Sequence, residues 1–135
     1  MNPVFPSEYY ETRFKLEGAP DPLPKAFAII TAHNPMNRVM TPRINRKADL
    51  RLKRLLERKL LPHFRATGMS PDGTHAEPGW AVETTLPIAL AITRRYKQFA
   101  LWWIENSELD LVHHDGVARE GAGEFSDRLR GKETD

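Results

Sequence analysis

The chain contains no cysteine among its 135 residues. Disulfides, thiolate zinc sites, iron–sulfur clusters and a cysteine nucleophile are therefore excluded. No apolar run approaches the ~20 residues that a membrane-spanning helix needs. The N-terminus lacks a basic region followed by an apolar stretch, so a secretory leader is not expected and a cytoplasmic location is. No glycine-rich segment follows a strand and opens a helix, so there is no phosphate cradle. Ser70 sits in no Gly-x-Ser-x-Gly elbow, and no Ser–His–Asp arrangement stands out for nucleophilic catalysis. Charge of one sign is also scarce. Twenty Lys and Arg face eighteen Asp and Glu, a formal net charge of +2, which argues only slightly for an acidic partner.

What is present is the composition of an ordinary globular domain, 40% hydrophobic and 28% charged. Residues 8–16 alternate, with Tyr10, Thr12, Phe14 and Leu16 on one face, as in a half-buried strand. Three prolines between Gly18 and Pro24 make a loop. Ala26 to Ala32 is a short apolar run rich in β-branched residues, the pattern of a strand buried on both faces. It ends at His33-Asn34-Pro35, and the residue before a proline is pushed out of the helical region, so Asn34 should be extended. Asn45 has the chemistry of an N-cap for a helix over 46–61. Ala48, Leu52, Leu55, Leu56 and Leu60 form its apolar face, and Asp49 can pair with Lys53. Pro62 stops it. Strands are expected near 63–67 and 79–84, and a second helix, capped by Thr84 or Thr85, over 86–97. Phe99 to Ile104 is another interior strand, and Leu109 to His113 pairs back on it as a hairpin.

The expected fold is one α+β domain over residues 1–114. It has a mixed or mostly antiparallel sheet of five to six strands with two helices packed on it, in the order β-β-α-β-β-α-β-β. Residues 1–7 read as an irregular lead-in. Residues 115–135 are glycine-containing and about half charged. They bury little surface by composition and read as a disordered tail.

One stretch concentrates polar chemistry. Residues 68–83 hold a Ser70-Pro71-Asp72-Gly73 turn signal, then His75 and Glu77 on alternate positions, then the apolar run from Trp80 to Val82. Further polar residues fall at element ends: Asn34, Asn45 and Gln98. If the two interior strands are neighbours, Asn34, Asn45, Asp72, His75, Glu77 and Gln98 can converge. Amides with a carboxylate suit a polar ligand such as a nucleobase, an amide or a sugar. The plainer reading is that the two asparagines tie down the loop between them.

Two other chemistries are open. His75-x-Glu77, completed by His33 or His113, has the imidazole and carboxylate ligands of a zinc or non-haem iron site. Two residues at this spacing arise easily by chance, and no cofactor is assigned. The same pair could do acid–base work in a small hydrolase. Lys47, Arg51, Arg54 and Arg58 line up on one face of the first helix and could meet an acidic macromolecule, nucleic acid included. No aromatic residues interleave with them, which argues against base stacking.

Taken together and in order, several of these segments resemble a known family. They are Phe27 to Pro35, Asn45 before a leucine-bearing helix, Gly68, Asp72-Gly73, Glu77-Pro78 and Val82, and Tyr96 to Ala100. The chain is similar over residues 9–113 to the bacterial domain-of-unknown-function family 3293. The resemblance implies a small cytosolic bacterial protein and points to Asn34, Asn45, Glu77 and Gln98 as carriers of its pattern. It implies no reaction.

Overall fold

A sheet of seven strands curls until its two ends meet, with the helices packed on its outside. The structure, a computed structural model, describes residues 5–130; the expectations for residues 1–4 and 131–135 lie outside the described residues. The elements in order are α1 (Glu8–Glu11), β1 (Arg13–Glu17), β2 (Ala26–Ile30), α2 (Pro42–Arg58), β3 (His63–Met69), β4 (Ala76–Val82), α3 (Leu86–Arg95), β5 (Ala100–Glu105), β6 (Glu108–His113) and β7 (Arg119–Glu124). The strand order is β1-β3-β4-β2-β5-β6-β7, and every neighbouring pair is antiparallel. A bridge between Phe14 and Leu129 joins the β1 edge to the chain beyond β7. The Arg130 amide donates to the Phe14 carbonyl at 2.7 Å there. No helix among the described residues is long and apolar enough to cross a membrane.

The alternation along each strand builds two cores. Ala28 and Ile30 face outward with Trp80, Val82, Leu101, Trp103 and Val112. They pack under Leu52, Leu55 and Leu56 of α2 and Ala89, Leu90 and Ile92 of α3. Phe27 and Ile29 face into the curl with Phe14, Ala66, Ala81, Ile104, Leu109 and Phe125. Gly79 is where the strands crowd. A Cβ there would stand 2.9 Å from the Ile30 carbonyl oxygen and 3.1 Å from that of Ala66.

Five expectations are corrected. Among the described residues the sheet has seven strands and the α-helices number three, because a short α1 precedes β1 and β7 follows β6. Residues 8–11 form a helical turn, so the strand pattern starts only at Arg13. The α2 cap is Thr41, whose hydroxyl accepts from the Ile44 amide at 3.2 Å, with Pro42 at the first helical position. A Thr-Pro start satisfies the cap four residues before Asn45, which enters the helix interior and is buried. Leu60 lies past the helix end and is exposed. Asp49 bonds Arg65 rather than Lys53. Both guanidinium nitrogens reach its carboxylate at 2.9 Å, a two-point match that an ammonium lacks. The same guanidinium lies 3.7 Å over the Trp80 ring, fastening α2 to the sheet.

The β7 strand had no apolar pattern to announce it, and its residues are mostly exposed. It pairs with β6 through its backbone, and Arg119 pairs with Asp110 at 2.7 Å. What holds the segment is Phe125, which inserts between Phe14 and Phe27 at ring-centroid distances of 5.5 and 5.6 Å. Phe125→Ala should therefore cost about 3–5 kcal/mol of stability in urea unfolding, the usual range for emptying a buried aromatic site. A loss below about 0.5 kcal/mol, typical of a surface change, would mean the segment is not part of the core.

Candidate functional site

The inside of the curl is not filled along its whole length. At the end where β2 runs out, a cavity of about 430 Å3 opens between the inner faces of β1, β3, β4 and β5. Ile29, Phe14, Ala66 and Trp102 form its apolar walls, and Tyr9 closes one side from α1. Tyr9 is held there by rings: it meets Trp102 edge-on at 6.0 Å and Phe99 at 6.2 Å. Trp102 in turn meets Phe14 edge-on at 5.1 Å.

The polar side is made of residues far apart in sequence. Asn34 adopts a left-handed conformation, φ 49°, ψ 64°, rather than the extended one expected. The following proline disfavours the right-handed region, and asparagine is the residue other than glycine that best tolerates the left-handed one. This turns its amide back toward α2. The Asn34 backbone N–H donates to Asn45 Oδ1 at 3.0 Å, and Asn45 Nδ2 donates to Asn34 Oδ1 at 2.9 Å. Asn34 Oδ1 also accepts from the Met40 amide at 3.0 Å. That leaves Asn34 Nδ2, which donates to Glu77 Oε2 on β4 at 3.2 Å. Gln98, 5% exposed, sends its amide protons to the His33 and Tyr96 carbonyls at 3.1 and 3.2 Å.

Five of the six sequence candidates therefore line one cavity: Asn34, Asn45, His75, Glu77 and Gln98. Asp72 does not. It organises the β3–β4 hairpin tip, accepting from the Ser70 hydroxyl at 2.7 Å and from the Thr74 amide and hydroxyl at 3.0 and 2.8 Å. Those hydrogen bonds hold its carboxyl down to about 2. His75 is exposed at the mouth and makes no side-chain hydrogen bond to Glu77 among the described residues. His33 also lines the cavity, and burial lowers its pKa. Among the described residues, no three His, Asp or Glu side chains are grouped as a metal ligand set. His113 bonds Asp115 at 3.2 Å instead. Lys47, Arg51, Arg54 and Arg58 are all exposed on α2, and none lines the cavity.

The sequence pattern missed Tyr9, Trp102, Thr31, Glu8 and Glu11, all of which line the cavity. Pro6-Ser7 before Glu8 was the available signal for a helical start. Trp102 was hidden beside Trp103: adjacent strand residues face opposite ways, so only one of the pair enters the curl.

A curled antiparallel α+β domain with a half-polar pocket at one end of the curl is the class that this geometry defines. The chain belongs to the family described as protein of unknown function (DUF3293), whose model matches residues 30–101. The matched segment includes Asn34, Asn45, Glu77 and Gln98 and ends just before Trp102. Neither a curated protein nor a solved structure matches the chain.

Two outcomes follow from this wiring. Asn45→Ala leaves the half-buried Asn34 N–H and one lone pair of Asn34 Oδ1 without partners, and should cost about 1–3 kcal/mol in chemical unfolding. Burial also pushes the Glu77 carboxyl up from its ordinary 4.5, with the Asn34 amide opposing. A raised acid holds its proton more firmly in the folded state. Its contribution is fully present below 4.5 and is lost as the pH climbs through the folded value. The stability of the natural protein should thus fall relative to Glu77→Gln as the pH rises above that point. Parallel unfolding midpoints for the two across pH 4–8 would contradict it.

Proposed function

We propose that this protein is a small-molecule binding module whose ligand sits in the mouth of the curled sheet, against Asn34, Asn45, Glu77 and Gln98. The observation that carries this reading is the combination of a cavity of about 430 Å3 with a half-buried, cross-linked amide–carboxylate wall. Ligand sites are commonly of this size, largely apolar, with a few fixed polar groups. Here Tyr9, Trp102, Phe14 and Ile29 supply the apolar surface. Glu77 keeps one carboxylate oxygen without a hydrogen bond to the described residues, and so does Gln98 with its Oε1. Acceptors left open toward a cavity are the groups a ligand would satisfy.

Acid–base catalysis is favoured by a single observation, the upward push on Glu77. A carboxyl raised above its ordinary value suits a general base, and His75 stands at the same mouth. That chemistry still needs a substrate in this cavity, so binding is the step to test. A panel containing adenine, acetamide, glucose and methylamine would be added to 15N-labelled protein. At least one compound should move the Trp102 indole and the Asn34, Asn45 and Gln98 side-chain amide signals together. If none does, while Asn45→Ala and Glu77→Gln only lower the melting temperature, the polar residues serve as loop ties and the proposal fails.

A further inference from the structure

The charge of the cavity wall runs against that of the chain. Lys and Arg outnumber Asp and Glu by 20 to 18 overall. Yet among the described residues no Lys or Arg lines the cavity, and three carboxylates do: Glu77 inside it and Glu8 and Glu11 from α1. The groups there that can turn positive are His33 and His75, and burial holds His33 toward its neutral form.

Most donors of the inner amide and hydroxyl groups are already spent. Both Gln98 amide bonds go to backbone carbonyls. The Thr31 hydroxyl donates to the Pro78 carbonyl at 2.9 Å, and the Tyr9 hydroxyl to Asn37 Oδ1 at 3.2 Å. The Asn34 side-chain amide goes to Glu77 itself. The open valences include two acceptors, Glu77 Oε1 and Gln98 Oε1, and the Asn37 side-chain amide is left as a neutral donor. Trp102 lines the same cavity, and its indole N–H is a neutral donor with no partner among the described residues.

We infer that the ligand of this pocket is a compact organic cation carrying N–H donors, an amine or amidine, whose flat or apolar body lies against Tyr9 and Trp102. The inference rests on the reading of the cavity as a small-molecule site and names the class of molecule it takes. A charged N–H donor makes the strong form of hydrogen bond to a carboxylate. A cation is also drawn to the faces of Tyr and Trp rings. A neutral ligand without donors leaves Glu77 and Gln98 unpaired, which is where polar sites reject most strongly. An anion meets three carboxylates and, among the described residues, no Lys or Arg.

Benzamidine, benzamide and benzoate match in size and shape and differ in charge, so they separate charge from fit. Titrated into the 15N-labelled full chain, benzamidine should move the Trp102 indole and Gln98 side-chain signals and bind at least about tenfold tighter than benzamide, a difference of about 1.4 kcal/mol. Benzoate should leave those signals in place. Glu77→Gln should erase the preference for benzamidine. Glu8 and Glu11 are exposed, so the double variant Glu8→Gln, Glu11→Gln keeps the test alive should Glu77→Gln fail to fold. It should weaken benzamidine about two- to fivefold at low salt and less at high salt, since exposed charges are screened. Benzamide or benzoate binding at these signals as tightly as benzamidine overturns the cation and leaves the pocket standing. Silence from all three, with adenine, acetamide or glucose binding, does the same. Silence from every compound in both sets removes the pocket and the inference together.

Discussion

The reciprocal hydrogen bonds between Asn34 and Asn45 are the joint on which the rest of the site depends. One asparagine leaves the interior strand β2 in a left-handed conformation, and the other is buried in α2 eleven residues later. Each amide satisfies the other, and only then is Asn34 Nδ2 turned onto Glu77. The chain between them contains two more left-handed residues, Met36 and Asn37, at φ 51° and 62°. Such conformations cost free energy and persist where the surroundings enforce them. Here the Met36 amide is also fastened to the Lys97 carbonyl at 2.8 Å, at the foot of β5. The loop is thus pinned to α2, β4 and the α3–β5 junction at once.

That pinning matters because the loop and α1, which border the cavity mouth, take no part in the ladders that join its strands. The outer core fixes α2 and α3 on the sheet, and the inner core closes one end of the curl. The other end is closed by α1, through the rings of Tyr9, Phe99 and Trp102. Polar ties on one side and aromatic contacts on the other leave a space with two chemistries. A ligand with a charged head and a flat body fits such a space better than one that is uniformly polar.

Much of the framework was legible because it is written in period and punctuation. The apolar runs of β2 and β5, the caps of α3 and the Pro-Asp-Gly turn are local signals, and their elements stand where expected, within two or three residues. The convergence of Asn34, Asn45, Glu77 and Gln98 was legible only as a condition, that β2 and β5 be neighbours, which they are. The short α1 was masked by an accidental alternation in residues 8–16. The β7 strand was masked because it is held by backbone pairing and one phenylalanine four residues before Leu129, not by a strand pattern of its own. Asn45 was misread in role because a side-chain amide that can cap a helix can equally bond a distant loop. Only the competing Thr41-Pro42 start decides between them.

The join between Phe14 and the chain beyond β7 has a consequence for how this protein can meet others. An open sheet edge presents unpaired amides and carbonyls that any extended peptide can extend. Here the Phe14 carbonyl is taken by the Arg130 amide and the Thr12 carbonyl by the Arg128 guanidinium at 3.2 Å. The β1 edge is thus already occupied by the chain's own later residues. Strand addition along β1, a common mode of peptide capture, would first have to peel away residues 128–130, and with them the packing of Phe125 inside the curl.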